Sequence, residues 1–192
     1  MKIGILALQG AFIEHAQVLD RLGIESKQVR KPDELKGLDG LIIPGGESTT
    51  MLNLANNYEF IEPLRRMGLN GFPMMGTCAG MILLAKTVTN SDIQTLSLMD
   101  IKVRRNAFGR QPDSFETDLD IKSLGDIPFH SVFIRAPLIE EAADNVEILA
   151  KLDNGTIVAV RQNNLLGMSF HPELTADSRM HKYFTDIVSG NK

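Results

Sequence analysis

The stretch Pro73-Met74-Met75-Gly76-Thr77-Cys78-Ala79-Gly80-Met81-Ile82-Leu83-Leu84-Ala85 decides how the rest of the 192-residue chain is read. A short apolar run ends at Gly76 and apolar residues resume in a helical pattern at Met81, which predicts a strand, a sharp turn and a helix. Cys78 stands in the turn, in a G-x-C-x-G pattern analogous to the G-x-S-x-G elbow that lifts a nucleophile above a sheet. Such a turn needs small neighbours, because bulk at positions 76, 79 and 80 would strike adjacent backbone. A helix N-terminus beside the sulfur also favours thiolate over thiol. Cys78 is therefore a candidate nucleophile. The plainer reading is a buried structural thiol, but a core position has no need of the flanking glycines.

Working outward, residues 3–8 and 41–43 are continuous apolar runs, and 24–30 is a further extended segment. Phe12, Ala16, Leu19 and Leu22 recur at helical spacing before Gly23, which supplies a stop. Helices are also expected from about Ser48, over 58–69 and over 176–188. Strands alternating with helices read as a parallel sheet covered by helices, an α/β fold. Beyond Thr87 the pattern changes to strand-like segments at 101–103, 115–121, 131–134, 146–152, 156–161 and 165–170. Asp153-Asn154-Gly155 and Gln162-Asn163-Asn164 read as hairpin connections. At about 150 residues per domain, and with no repeat or linker, one domain over 1–192 is expected.

Composition narrows the function classes. Hydrophobic residues make up 43% and charged residues 23%, ordinary globular usage that excludes a disordered, collagen-like or coiled-coil chain. Twenty Lys plus Arg against 24 Asp plus Glu give a net charge of -4, without the basic footprint of a general nucleic-acid binder. A single cysteine rules out an intrachain disulfide and a multi-thiolate metal site, and fits a reducing compartment. The N-terminal apolar run is too short for a signal peptide, and no run approaches the roughly 18 apolar residues of a membrane span. A cytoplasmic chain is expected, with neither nucleic acid nor membrane as partner.

A cysteine nucleophile needs a base, and the chain has four histidines. His15 and His181 lie in helical patterns where a partly exposed imidazole is ordinary, and His130 opens a strand where it can simply pack. His171 differs, because it follows an apolar strand and precedes Pro172, which stops the ladder and puts it at a strand end. Catalytic side chains of open α/β sheets gather there. Glu173, two residues on, can orient the imidazole by fixing one ring nitrogen as donor. Taken alone, this pair reads as a surface turn.

A third feature is Pro44-Gly45-Gly46-Glu47-Ser48-Thr49-Thr50, again at a strand end. Paired glycines let backbone N–H groups approach a substrate closely, as an oxyanion hole requires. No Lys follows them, which disfavours a phosphate loop of the Walker type, while a plain turn before a Ser or Thr helix cap is the simple alternative.

Together these loops meet at one sheet edge, and in this combination the chain resembles the class I (triad) glutamine amidotransferases. GILALQGAFIEH (4–15), LIIPGGESTTM (41–51), GTCAGMILLA (76–85), RRNAFGRQ (104–111), VFIRAP (132–137), HPEL (171–174) and DSRMH (177–181) make it similar to one family among them, the glutaminase subunit of pyridoxal phosphate synthase. The elbow and the His-Pro-Glu step specify the class, whereas PGGEST, RNAFGRQ and FIRAP specify the family.

The resemblance implies a flavodoxin-like three-layer fold with a central, mostly parallel sheet, and a Cys78-His171-Glu173 triad that hydrolyses L-glutamine through a glutamyl thioester. It assigns oxyanion stabilisation to backbone N–H groups of Gly46 and Ala79, and glutamine binding to Gly46, Glu47, Ser48, Arg105, Ile134 and Arg135. It implies no metal and no cofactor. The implied partner is a (β/α)8-barrel synthase subunit in a hetero-oligomeric complex, which takes the ammonia to make pyridoxal 5'-phosphate. Residues near Gln9, Gly10 and His15 are expected on the docking face. Two alternatives are a glutaminase subunit serving another acceptor, such as the imidazole glycerol phosphate synthase system, and a non-catalytic thiol-sensing or binding module. FIRAP and RNAFGRQ speak against the first, and the His-Glu pair against the second, since a sensor thiol needs no such dyad.

Overall fold

In the computed structural model, which describes residues 1–91, 93–105 and 114–191, the apolar runs of the first half become strands covered on both faces. β1 (Lys2–Leu6) leads to α1 (Phe12–Arg21), the edge strand β2 (Glu25–Val29), β3 (Gly40–Ile43), α2 (Ser48–Asn57), α3 (Ile61–Leu69), β4 (Met74–Thr77) and α4 (Ala79–Leu84). The second half adds β5 (Ala85–Val88), β6 (Met99–Arg104), β7 (Ser114–Leu119), β8 (Phe129–Ile134), β9 (Leu138–Ala142), β10 (Glu147–Lys151), β11 (Ile157–Gln162), β12 (Leu165–Met168) and α5 (Arg179–Val188).

Parallel pairing gives the order β2-β1-β3-β4-β12, with Ile43 opposite Gly76 and Met168 opposite Thr77. The carboxyl ends of β3, β4 and β12 are thereby level. Antiparallel β11, β9 and β6 extend this sheet, β5 runs parallel to β6 at its far edge, and β10 joins β11. β7 and β8 form a separate antiparallel hairpin.

Strand alternation sends successive side chains to opposite faces. Leu41 and Ile43 pack with Met51, Leu52, Leu64 and Ile82 from α2, α3 and α4, while Ile42 packs with Leu19, Met180, Phe184 and Ile187 from α1 and α5. Each such buried side chain contributes about 1.5–3 kcal/mol. Helices therefore cover both faces of a mostly parallel sheet, the layering expected from the sequence.

Boundaries move for local reasons. α3 starts at Ile61 rather than 58 because Glu59 takes φ 57°, which a right-handed helix cannot contain. α5 starts at Arg179 because the Asp177 carboxylate accepts from its backbone N–H at 2.9 Å and so closes a turn ahead of the helix. Two strands, β5 and β9, go beyond the sequence expectation. The helix after the elbow stops at Leu84 and Ala85 turns straight into β5, while β9 carries Glu140 and Glu141, whose partners Arg104 and Lys102 lie on the neighbouring β6. No helix among the described residues is long and apolar enough to cross a membrane.

Candidate active site

Four adjacent parallel strands, β1, β3, β4 and β12, each end in one of the loops singled out above. Cys78 follows β4 with φ 49° and ψ -106°, a conformation that residues bearing a Cβ rarely adopt. Its neighbours must be glycine: a Cβ on Gly80 would lie 2.0 Å from the Ile43 carbonyl oxygen, and one on Gly76 would lie 2.6 Å from the Gly80 carbonyl. The elbow is pinned to β12 by the Cys78 N–H, which donates to the Met168 carbonyl at 2.8 Å.

His171 follows β12, and its backbone N–H donates to Val132 of β8 at 2.8 Å. Pro172 then opens a short 3-10 turn that brings Glu173 back under the imidazole, with Nδ1 2.7 Å from Oε1. Cys78, His171 and Glu173 are all buried. Burial pushes the His171 pKa down, but its hydrogen bonds to Cys78 and Glu173 and the Glu173 charge outweigh that and raise it to about 10. The imidazolium form is therefore the favoured one beside the sulfur.

The loop after β3 lies against this pair. A Cβ on Gly45 would sit 2.3 Å from Cε1 of His171. Ala11, just before α1, donates its N–H to the Gly45 carbonyl at 3.2 Å, so the Gly46 N–H of the same trans peptide points away from α1. The Gln9 side-chain oxygen accepts from the Glu47 N–H at 2.9 Å. The cap of α2 is Glu47 rather than a Ser or Thr: its carboxylate accepts from the N–H groups of Thr49 at 3.0 Å and Thr50 at 2.7 Å. Those bonds, Thr50 foremost, lower its pKa to about 2. Arg105 reaches the same carboxylate at 3.3 Å and the Thr49 hydroxyl at 2.9 Å.

A cavity of about 310 Å³ opens over the sulfur, lined by Gly46, Glu47, Ser48, Cys78, Ala79, Ile82, Arg105, Ile134, Arg135, Pro137 and His171. That volume suits a single small ligand. Every residue that the resemblance assigned to glutamine binding or the oxyanion lines it, and the triad's Cys78 and His171 face it. Ile82 and Pro137 were not anticipated. Residues 106–111 of the RRNAFGRQ block lie outside the described residues.

Three expectations for the histidines fail. His15 and His181 are not partly exposed but fully buried, with His15 Nδ1 2.8 Å from His181 Nε2. His15 Nε2 stands 3.3 Å from the Thr77 hydroxyl and 3.4 Å from Glu173 Oε2, so its side chain backs the site. The signal was in the sequence: position 15 falls on the apolar stripe of Phe12, Ala16 and Leu19. His130, instead of packing, is half exposed between Asp118 and Glu116, whose hydrogen bonds, Asp118 foremost, raise its pKa.

Comparison with known proteins agrees with this geometry. The chain is 57% identical to pyridoxal 5'-phosphate synthase subunit PdxT of Dehalococcoides mccartyi (strain ATCC BAA-2266 / KCTC 15142 / 195), over 100% of both chains. It is 55% identical to the PdxT subunit of Carboxydothermus hydrogenoformans, over 98% of each. A crystal structure of a glutamine amidotransferase superposes with a TM-score of 0.92 at 48% identity, covering 97% of this chain and 98% of the other. A putative GMP synthase protein from Thermoplasma acidophilum shares the fold at a TM-score of 0.72 and 20% identity, over 99% of this chain and 94% of that one. Since the model of the SNO glutamine amidotransferase family matches residues 5–189, nearly the whole length over which these loops converge, the chain belongs to that family.

Proposed function

We propose that the chain is the glutaminase subunit of a pyridoxal 5'-phosphate synthase, with 1–192 acting as one amidotransferase domain. The observation that carries this is the buried Cys78-His171-Glu173 array at the floor of a cavity lined by two arginines. The names of its full-length relatives supply the pathway.

With the proton on His171, Cys78 attacks the side-chain amide carbon of glutamine as a thiolate. Charge develops on the amide oxygen, where the N–H groups of Gly46 and Ala79 donate to it; one such donor is worth roughly 3–4 kcal/mol. The tetrahedral species collapses as His171 gives its proton to the nitrogen, so ammonia leaves and a glutamyl thioester remains on Cys78. His171 then takes a proton from water, hydroxide attacks the thioester carbon, and glutamate departs as the sulfur regains its charge. Glu173 holds the imidazole in register throughout. Arg105 and Arg135 grip the substrate carboxylate, and Glu47 and Ser48 frame the remaining groups of glutamine.

Free ammonia would be protonated and lost to solvent, so the product is passed directly to a second active site on a (β/α)8-barrel synthase subunit. The docking face includes the start of α1, where Gly10 and Ile13 are exposed. The setting is the cytoplasm. Glutamate release from glutamine by the chain, alone and mixed with the barrel subunit from the same source, tests this reading. Release stimulated by the barrel and lost in Cys78→Ala is expected. Release indifferent to the barrel overturns the pathway, and no release in either case overturns the enzyme.

A further inference from the structure

Behind the triad lies a second pair of imidazoles that the mechanism above does not use. His15 of α1 and His181 of α5 come from opposite ends of the chain, both fully buried, with Nδ1 of His15 2.8 Å from Nε2 of His181. The other nitrogen of His15 lies 3.4 Å from Oε2 of Glu173, the carboxylate oxygen that His171 does not touch. That oxygen is buried and has no hydrogen-bond partner among the described residues, so the His15 nitrogen at 3.4 Å is the group placed to supply one. A buried carboxylate oxygen cannot face a nitrogen lone pair without a large penalty, so the proton of neutral His15 belongs on Nε2. There it lies within reach of both Oε2, at 3.4 Å, and the Thr77 hydroxyl, at 3.3 Å. Nδ1 of His15 must then accept, which makes His181 the donor through its own Nε2–H.

We propose that His15 is a positioning residue for the glutaminase reaction, donating its Nε2 proton to Glu173 Oε2 in a tautomer fixed by His181, so that the carboxylate is held by one imidazole on each oxygen. This rests on the assignment of His171 and Glu173 as base and orienting carboxylate. Burial, followed by the proximity of His181 and His171, holds the His15 pKa well below its ordinary value. Burial, with Arg21 nearby, lowers that of His181 to about 3. Both rings are thus neutral at working pH, each with a single proton, and the direction of both bonds is determined. The groups around them are Glu173, His171, Thr77 and Arg21.

A donor on Oε2 does two things. It aims Oε1 at His171 Nδ1, and it withdraws part of the carboxylate charge that would otherwise hold a proton on His171 too tightly for transfer to ammonia. Removing that donor therefore raises the proton affinity of His171.

The test uses the full chain with its barrel partner and a histidine ¹⁵N spectrum of the wild-type chain, which needs only four assignments. His15 and His181 are expected as Nε2–H tautomers with bare Nδ1, unchanged between about pH 5.5 and 8. His15→Phe keeps a ring but no donor, and is expected to lower kcat roughly tenfold to a hundredfold, the range for residues that hold the partners of a reacting group. KM should stay within about twofold, and the alkaline limb of the kcat/KM profile, where the His171 imidazolium loses its proton, should move to higher pH. His15→Gln restores a donor and should bring the limb back. A merely structural role would cut the active fraction equally at every pH. An Nδ1–H tautomer at His15, titration of His15 in this range, or an unshifted limb in His15→Phe would overturn the inference. The spectrum decides the matter even if the variant fails to fold. Failure of the functional reading shows separately, as wild-type chain that releases no glutamate.

Discussion

Gly45 and His171 share one space: a Cβ on the glycine would lie 2.3 Å from Cε1 of the imidazole and 3.0 Å from Nδ1. The loop proposed to offer N–H groups to the oxyanion is thus seated on the ring proposed to move the proton, and neither can shift alone. Gly45→Ala forces them apart without a backbone penalty, since Gly45 is absent from the positive-φ positions. Misplacement of a reacting group by about 1 Å costs on the order of a hundredfold, so kcat should fall by about that factor while the thermal transition moves little. Parallel kinetics and melting of the variant check both halves.

The elbow stores strain, and two substitutions should show it in opposite directions. Gly80→Ala drives a methyl to within 2.0 Å of the Ile43 carbonyl and should cost about 3 kcal/mol or more, the upper range for overpacking. Cys78→Gly relieves φ 49° and, after the entropic cost of glycine, should leave the chain about 1 kcal/mol more stable than Cys78→Ala. Denaturant unfolding of the three variants measures the order.

Glu47 is both cavity wall and helix cap. Glu47→Ala should cost about 1 kcal/mol at neutral pH through loss of the cap. The folded carboxyl titrates near about 2, below its ordinary 4.5, so its contribution is complete above 4.5 and is lost as pH falls through the folded value. The stability gap between wild type and Glu47→Ala should therefore narrow between pH 4.5 and 2. A gap that widens on acidification would contradict the assignment.

Arg105 is oriented by Glu47 at 3.3 Å and Thr49 at 2.9 Å toward the cavity. A lysine keeps the charge but not the planar fork. Arg105→Lys should raise the KM for glutamine about tenfold with kcat nearly unchanged, the signature of lost uniform binding. Steady-state kinetics over a range of glutamine concentrations separates the two parameters.

Much of the site was legible in the sequence because its constraints are local. Gly76 and Gly80 are demanded by backbone packed against them, and Pro172, which has no N–H to give a ladder, opens the turn that carries Glu173, so the loops at Cys78 and His171 announce themselves without knowledge of the fold. The parallel order that levels those strand ends was legible only as alternation of strand and helix. Arg105 and Arg135 came from the resemblance, since nothing in their flanking residues tells a gripping arginine from a solvated one. His15 and His181 escape a sequence reading because they meet across a separation of 166 residues; helical periodicity shows that a residue faces inward, not what it will find there. β9 escapes it because adjacent glutamates look like a turn, although Ile139 between them and Leu138 points into the core.

The central claim is that Cys78 carries the glutamyl group of glutamine. Mass analysis of chain quenched in acid during turnover tests it most directly. The account predicts one added glutamyl group on the peptide that contains Cys78, chased away on further incubation and absent from Cys78→Ala. Full glutamate release with no adduct at any quench time, or an adduct on another residue, would contradict it.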